Sequence, residues 1–411
     1  MKVYKLEEIT LGIFDGKHGG CKQTENTGYY FISVKDLTEY DIDYTNAKQI
    51  SKNEFDEIYS RTSLENGDVA YANTGDTIGK CVFIKDNPYT ASTSFQKSIA
   101  VLKPNCDLVV DRYLYYLMKF ETSRLREAAT GSAQKNLLLS TMRSFTVNIH
   151  QIETQKKIVA VLGAIDDKIM NNQKINRNLQ DQAQMIFKEW FIDNLENTSW
   201  STGTFSNLII STLGGDWGKE EEMSNFTEQV FCIRGADIPE VKAGNKGKMP
   251  TRFILPKNFA SKQLVAGDIV VEISGGSPTQ STGRVASVSQ SLLNRYDKGM
   301  VCTNFCRALK PKAGYSMFIY YYWQYLYDKG IFFSYENGTT GIKNLDINGF
   351  LNNEEIVLPP KELVDRFDDF CQSIFDQIFK NGISTEKLSE TRDALLPKLM
   401  SGELDVSELE I

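Results

Sequence analysis

Histidine is nearly missing from this 411-residue sequence, which holds only His18 and His150. General-base and metal chemistry lean on histidine more than on other side chains, so an enzyme of either kind is disfavoured. Long apolar runs are also missing. No stretch approaches ~18 consecutive apolar residues, which argues against a transmembrane helix, and the opening MKVYKLEEITLG lacks the apolar core of a signal peptide. There is no basic excess: 46 Lys and Arg face 53 Asp and Glu, a net charge of −7. Taken alone, that figure argues against a nucleic-acid binder. The seven cysteines, at 21, 81, 106, 232, 302, 306 and 371, are odd in number and scattered. They suggest no disulfide framework and point to a reducing cytoplasm. Cys302 and Cys306 have no histidine near them and no second cysteine pair, so a metal site is not expected.

Catalytic motifs are equally scarce. Thr74-Gly-Asp-Thr-Ile-Gly-Lys-Cys81 resembles a phosphate loop but encloses three residues between its glycines and places Cys81 after Lys80. A phosphate loop needs four residues there and then Lys-Ser/Thr. The segment reads instead as a hairpin loop carrying a basic residue. No Gly-x-Gly-x-x-Gly follows a strand pattern, and no Asp/Asn-Pro-Pro-Tyr/Phe tetrapeptide of the amino-methyltransferase kind occurs. No catalytic residue is assigned.

What the sequence does contain is a repeat, and repeats decide fold before motifs do. Phe31-Ile-Ser-Val-Lys-Asp-Leu37 resembles Phe231-Cys-Ile-Arg-Gly-Ala-Asp-Ile238. Gly67-Asp-Val-Ala70 resembles Gly267-Asp-Ile-Val270, and Lys103-Pro104 recurs as Lys310-Pro311. Gly131-Ser-Ala-Gln-Lys-Asn-Leu137 recurs as Gly338-Thr-Thr-Gly-Ile-Lys-Asn-Leu345. The common order and slowly drifting offset indicate a duplication. His18, in the turn Asp15-Gly-Lys-His-Gly-Gly20, is matched by Trp217, so a turn or surface-contact role is expected for it.

Each copy ends in a long helical pattern. Ile158, Leu162, Ile165, Ile169, Asn172, Asn176, Leu179, Ala183, Ile186 and Trp190 follow the alternating spacing of a coiled-coil seam. The seam recurs 209 residues later as Phe367, Cys371, Ile374, Ile378, Asn381, Thr385, Leu388, Arg392, Leu395 and Leu399. Asn172 and Asn381 hold matching positions, where a buried amide can fix register at a cost in stability. Alternatively both mark a local break, since Gly382 and Ser384 favour an interruption. A helix of this length spans roughly 50 Å, and two of them can pair antiparallel. The globular parts read as mixed α and β. Strands are expected at 69–72, 80–84 and 98–102, and helices at 111–126 and 316–327. The aromatic row Tyr320-Tyr-Tyr-Trp323 is expected in a core.

Counted by segment, the charge is −1 over 1–150, −1 over 151–199, +3 over 200–351 and −8 over 352–411. The acidity therefore belongs to the C-terminal helical segment. The globular parts keep room for local basic surfaces such as Lys242, Lys246, Lys248, Arg252 and Lys257. Basic loops can hold phosphates, and polar side chains can read base edges.

Together, the paired globular repeats, their Ile-Ser-Val-Lys-Asp-Leu, Gly-Ser-Ala-Gln-Lys-Asn-Leu and Ile-Arg-Gly-Ala-Asp-Ile segments, and the helix entries Gln151-Ile-Glu-Thr-Gln-Lys-Lys-Ile158 and Leu358-Pro-Pro-Lys-Glu-Leu363 resemble the specificity subunit of type I restriction–modification systems. The resemblance implies an α+β fold of two duplicated target-recognition domains joined by two long antiparallel coiled-coil helices with pseudo-twofold symmetry. The domains would be 1–150 and 198–353, and the helical spacers 151–197 and 354–411. It implies that each domain reads half of a bipartite site in double-stranded DNA while the helices set the gap and dock two modification subunits. Those partners would bind S-adenosylmethionine and methylate adenine, and restriction subunits would use ATP and magnesium, so this cytoplasmic chain would need no cofactor. A two-headed protein-binding scaffold is the alternative. Lys80, Lys135, Arg284 and Lys343 are the candidate DNA contacts.

Overall fold

The computed structural model describes residues 1–131, 135–193, 200–277, 279–338 and 342–409. The chain forms two compact units, one of Met1–Met170 with Leu388–Ile411 and one of Asn171–Lys387. Parts of the repeated Lys-Asn segments, at 132–134 and 339–341, lie outside the described residues, as does the expected boundary at 197/198.

In the first unit the apolar runs build a four-stranded antiparallel sheet ordered Thr10–Asp15, Ile99–Pro104, Val69–Ala72, Cys81–Phe83. Val69–Ala72 is buried along its whole length, as a continuous apolar strand should be when both faces are covered. Val69 and Tyr71 pack into the core that holds Tyr113, Leu114 and Leu117 of the helix Asp111–Phe120. Ala70 turns into the core of Ile32, Phe95 and Val101. A second sheet, ordered Lys48–Gln49, Tyr30–Ile32, Thr93–Phe95, has its last pair parallel. The helix expected over 111–126 is two, Asp111–Phe120 and Thr122–Ala128. The Thr122 hydroxyl donates back to the Met118 carbonyl at 2.8 Å, a local bond that competes with the helix ladder.

The second unit repeats this order strand for strand. Its four-stranded sheet runs Ile209–Gly214, Cys306–Pro311, Ile269–Glu272, Val285–Ser287, and its three-stranded sheet runs Thr251–Ile254, Glu228–Ile233, Met300–Cys302, again with the last pair parallel. The sequence repeats acquire a cause here. Asp68 of Gly-Asp-Val-Ala and Lys103 of Lys-Pro are partners at 2.9 Å, and Asp268 pairs with Lys310. Each aspartate also accepts a backbone N–H, from Glu65 and from Val265. Two short motifs far apart in sequence are thus the two ends of one largely buried ion pair. The aromatic row is core: Tyr320, Tyr321, Tyr322 and Trp323 are buried in the helix Ser316–Asp328, and the Trp323 indole donates to the Gly283 carbonyl at 2.7 Å.

The central helix is Ile152–Lys188, closed by a wider π turn at Glu189–Asp193, and the C-terminal helix is Lys361–Ser401. Residues 355–358, expected with the C-terminal helical segment, instead form the strand Glu355–Leu358 paired with Ser201–Thr204. The equivalent pair in the first unit is Lys2–Lys5 with Thr146–Ile149.

Within the first unit Ile158, Leu162, Ile169 and Leu399 are buried, while Ile165, Leu388 and Leu395 are half-buried. Asp166 meets Arg392 at 3.2 Å, and Lys157 donates to the Ser407 carbonyl at 2.6 Å, so the segments run antiparallel. Within the second unit Asn172, Phe367, Ile374, Ile378 and Asn381 are buried, while Leu179 and Ile186 are half-buried. The Asn172 amide donates to Thr385 at 3.4 Å, and the Asn381 amide donates to Asn176 at 2.8 Å. These are one residue pair met twice, because 172 and 176 recur as 381 and 385. Beyond Ala183 the buried positions are Phe187 and Phe191 rather than Ile186 and Trp190. A straight helix drifts from a 3.5-residue repeat, and the π turn adds to the drift. Gly382 does not interrupt the C-terminal helix, which rules out the alternative of a local break there. It lies where a Cβ would overlap the Gly244 carbonyl oxygen, and a Cβ at Gly244 (φ +84°) would overlap the Ile378 carbonyl. The glycines let a loop of the second globular part rest on the helix backbone.

Candidate nucleic-acid interface

In both units the hairpin of the central sheet strands ends in a polar tip. In the first unit Val69–Ala72 and Cys81–Phe83 pair antiparallel, so residues 73–80 form a hairpin loop, as the sequence suggests. Asp76 and Thr77 stand exposed at its end. Thr74 bridges to Asn136, Asn136 bridges to Thr130, and the Gly75 N–H donates to the Lys135 carbonyl at 2.7 Å. The second unit repeats this with regular strands. Ser274–Gly275 pairs with Lys343–Leu345, which pairs with Glu336–Asn337. The Ser274 hydroxyl meets Asn344 at 2.6 Å, and Thr279 and Gln280 are exposed at the tip.

The structure thus brings Lys80 and Lys135 to one tip and Arg284 and Lys343 to the other, but it uses them differently. Lys135 is exposed, and its ammonium has no bond among the described residues. Lys80 donates to the Val34 carbonyl at 3.1 Å and is half-buried. Arg284 grips Glu272 through two bonds of 2.7 and 2.6 Å. Lys343 pairs with Glu336 at 2.7 Å and lies 5.1 Å over the Phe333 ring. Glu336 also accepts the Thr282 N–H and hydroxyl. Burial works against its charge, but Lys343 and Thr282 outweigh burial and hold its pKa low. Arg284 and Lys343 therefore brace the loop, leaving Thr279 and Gln280 as its exposed polar groups among the described residues. Sequence reasoning passed over those two because nothing marks a loop apex until the hairpin partners are known.

Burial raises the thiol pKa values of Cys302 and Cys306, the latter to about 11, so neither is a ready thiolate. His18 faces Asp15 at 3.4 Å on the surface, and His150 bonds the Tyr113 hydroxyl at 2.8 Å. Among the described residues no group of three His, Cys, Asp or Glu could hold a metal ion, and no helix is long and apolar enough to cross a membrane. Arg252 of the basic run stacks on Trp217 at 3.9 Å and pairs with Glu220.

One unit present twice, with a polar hairpin tip in each copy, defines a duplicated protein of two like units. Comparison with known proteins gives the particular kind. Residues 14–180 match the family described as type I restriction modification DNA specificity domain. The chain is 28% identical over 356 residues to the type I restriction enzyme MjaIX specificity subunit of Methanocaldococcus jannaschii, covering 80% of this chain and 76% of that one. It is 23% identical over 418 residues to the HindI specificity subunit of Haemophilus influenzae, covering 84% and 88%. In fold it is similar to the S subunit of a type I restriction–modification system from M. genitalium, with a TM-score of 0.51, 14% identity and coverage of 97% and 95%. The resemblance carried by the sequence motifs is borne out.

Proposed function

We propose that this chain is the DNA-recognition subunit of a type I restriction–modification complex, with each unit reading one half of a bipartite duplex target through its hairpin tip. The single observation that carries the reading is the repeated, internally braced hairpin in a chain whose first copy matches the DNA specificity family. The same matches favour DNA recognition over a protein scaffold. The chain supplies specificity and no catalytic step. Its partners are duplex DNA and, in this reading, two modification subunits docked on the long helices, with S-adenosylmethionine bound by those subunits and adenine as the methylated base. Restriction subunits using ATP and magnesium complete the complex in the cytoplasm, and this chain itself holds no cofactor. The long helices fix the gap between the half-sites.

Methylome sequencing of a host with and without this chain, its modification subunits being present in both, is the test. The expected result is a split adenine-methylated motif that appears only with the chain. An unchanged methylome would overturn the reading.

A further inference from the structure

Beside the hairpin tip of the second unit lies a cleft of roughly 320 Å³ whose walls include Arg177, Lys242, Gln280, Arg284 and Asp328. It opens between the helix Ile238–Lys242 and the hairpin loop that carries Gln280. Arg284 is committed to Glu272, but neither the Arg177 guanidinium nor the Lys242 ammonium makes a hydrogen bond or ion pair among the described residues. Lys242 is half-buried. Burial lowers its pKa, Asp328 partly restores it, and Arg284 opposes it. Asp328 helps the charge from a distance, but a part-buried ammonium with no direct hydrogen bond or ion pair is costly unless something arrives to meet it.

Lys242 is also held in place. Its carbonyl accepts the Gln180 amide at 2.7 Å, the next carbonyl, of Ala243, accepts the Asn176 amide at 3.0 Å, and Arg295 donates to Gly244 at 2.7 Å. The first unit treats the equivalent loop otherwise. There Asp36, like Asp237, caps its own turn. Counting on from that cap, Lys242 corresponds to Asp41, and Glu39 and Tyr40 are tied to Arg392. At this loop position the first unit carries an aspartate, and the uncommitted cation occurs in the second unit alone.

We infer that this cleft is a phosphate site, in which Lys242 and Arg177 take a backbone phosphodiester of the target DNA alongside the tip that carries Gln280. The site positions the duplex and reads no base. It rests on the DNA-recognition reading and adds to it a contact that is blind to sequence.

The test uses the chain assembled with its modification subunits and two duplexes, one with the methylated motif and one scrambled. Affinities are measured over a salt series for the wild type, Lys242→Gln, Lys242→Arg and Arg177→Gln. Lys242→Gln is expected to weaken both duplexes by the same factor, about 3- to 10-fold, and to reduce the slope of log K against log salt by about 1. Arg177→Gln should do the same, and Lys242→Arg should keep the wild-type slope. Wild-type discrimination between the duplexes is the separate check on DNA recognition, and its absence would overturn that reading itself. With discrimination intact, an unchanged slope in Lys242→Gln overturns the phosphate site. Loss confined to the motif duplex overturns it too, since that would make Lys242 a base reader. Added inorganic phosphate is the second arm. If it raises the melting temperature of the wild type but not of Lys242→Gln, while the DNA slope stays unchanged, the occupant is a free phosphate and the backbone assignment fails.

Discussion

Arg392 shows how much a single side chain can be asked to hold. It is 4% exposed and meets Asp166, Asp393, Glu39 and the Tyr40 hydroxyl, while Tyr116 donates to the other Asp166 oxygen at 2.7 Å. Removing one partner of a buried pair strands the other, so Arg392→Ala should destabilise the first unit by about 3–5 kcal/mol in denaturant unfolding. The double variant Asp166→Leu/Arg392→Leu should cost less. Positions 183 and 375, which match 392 and 166, are Ala183 and Phe375 in the apolar core of the second unit, so the fold tolerates an apolar pair there. A loss in the double as large as in the single would contradict this. His150 gives a pH signature. Burial first, and the N-terminal charge second, lower its pKa below 6.5. The unfolded chain therefore takes up the proton before the folded chain does, and stability falls as pH drops below about 6.5. Between about pH 7.5 and about pH 5.5 the apparent melting temperature should fall less in His150→Gln than in the wild type. Of the candidate DNA contacts, residue type and repeat position were legible in the sequence, and both pairs do flank hairpin tips. Their availability was not legible. Glu272 and Glu336, which occupy Arg284 and Lys343, reach them only through the folded hairpin and its neighbour strand.

At the scale of elements, the strongest sequence signals were those with a long period. The two helices, the apolar strand 69–72 and the aromatic helix stand where periodicity put them. Misreadings arose where a neighbour rather than the local pattern decides. The strand Glu355–Leu358 exists because Ser201–Thr204 is there to pair with it. Gly382 resembled a helix breaker by propensity, but its reason is the loop that lies against it. Propensity and packing predict opposite signs for Gly382→Ala. In an isolated helix the change gains about 1 kcal/mol. Here the new Cβ meets the Gly244 backbone, and an expected loss of about 1–3 kcal/mol follows from overpacking. Thermal unfolding reads the sign directly, and a more stable variant would mean that the loop yields freely.

At the scale of the whole molecule, the net charge of −7 misleads as a guide to the partner. The C-terminal segment 352–411 carries −8, and the remaining residues together carry +1. DNA affinity of the isolated chain should therefore be modest and rise steeply on assembly with modification subunits. The duplication makes the spacing reading testable as well. Deleting one heptad from each long helix should shorten the gap in the methylated motif and leave both half-sites unchanged. Altered half-sites with an unaltered gap would refute the idea that the helices set the gap.

The division of the chain also sets what each unit needs in order to close. The first unit draws part of its core, Leu399, Met400 and Val406, from the last residues of the chain, whereas Asn171–Lys387 is continuous. The first unit can therefore close its core only when two stretches far apart in sequence meet, whereas the second closes from one stretch alone.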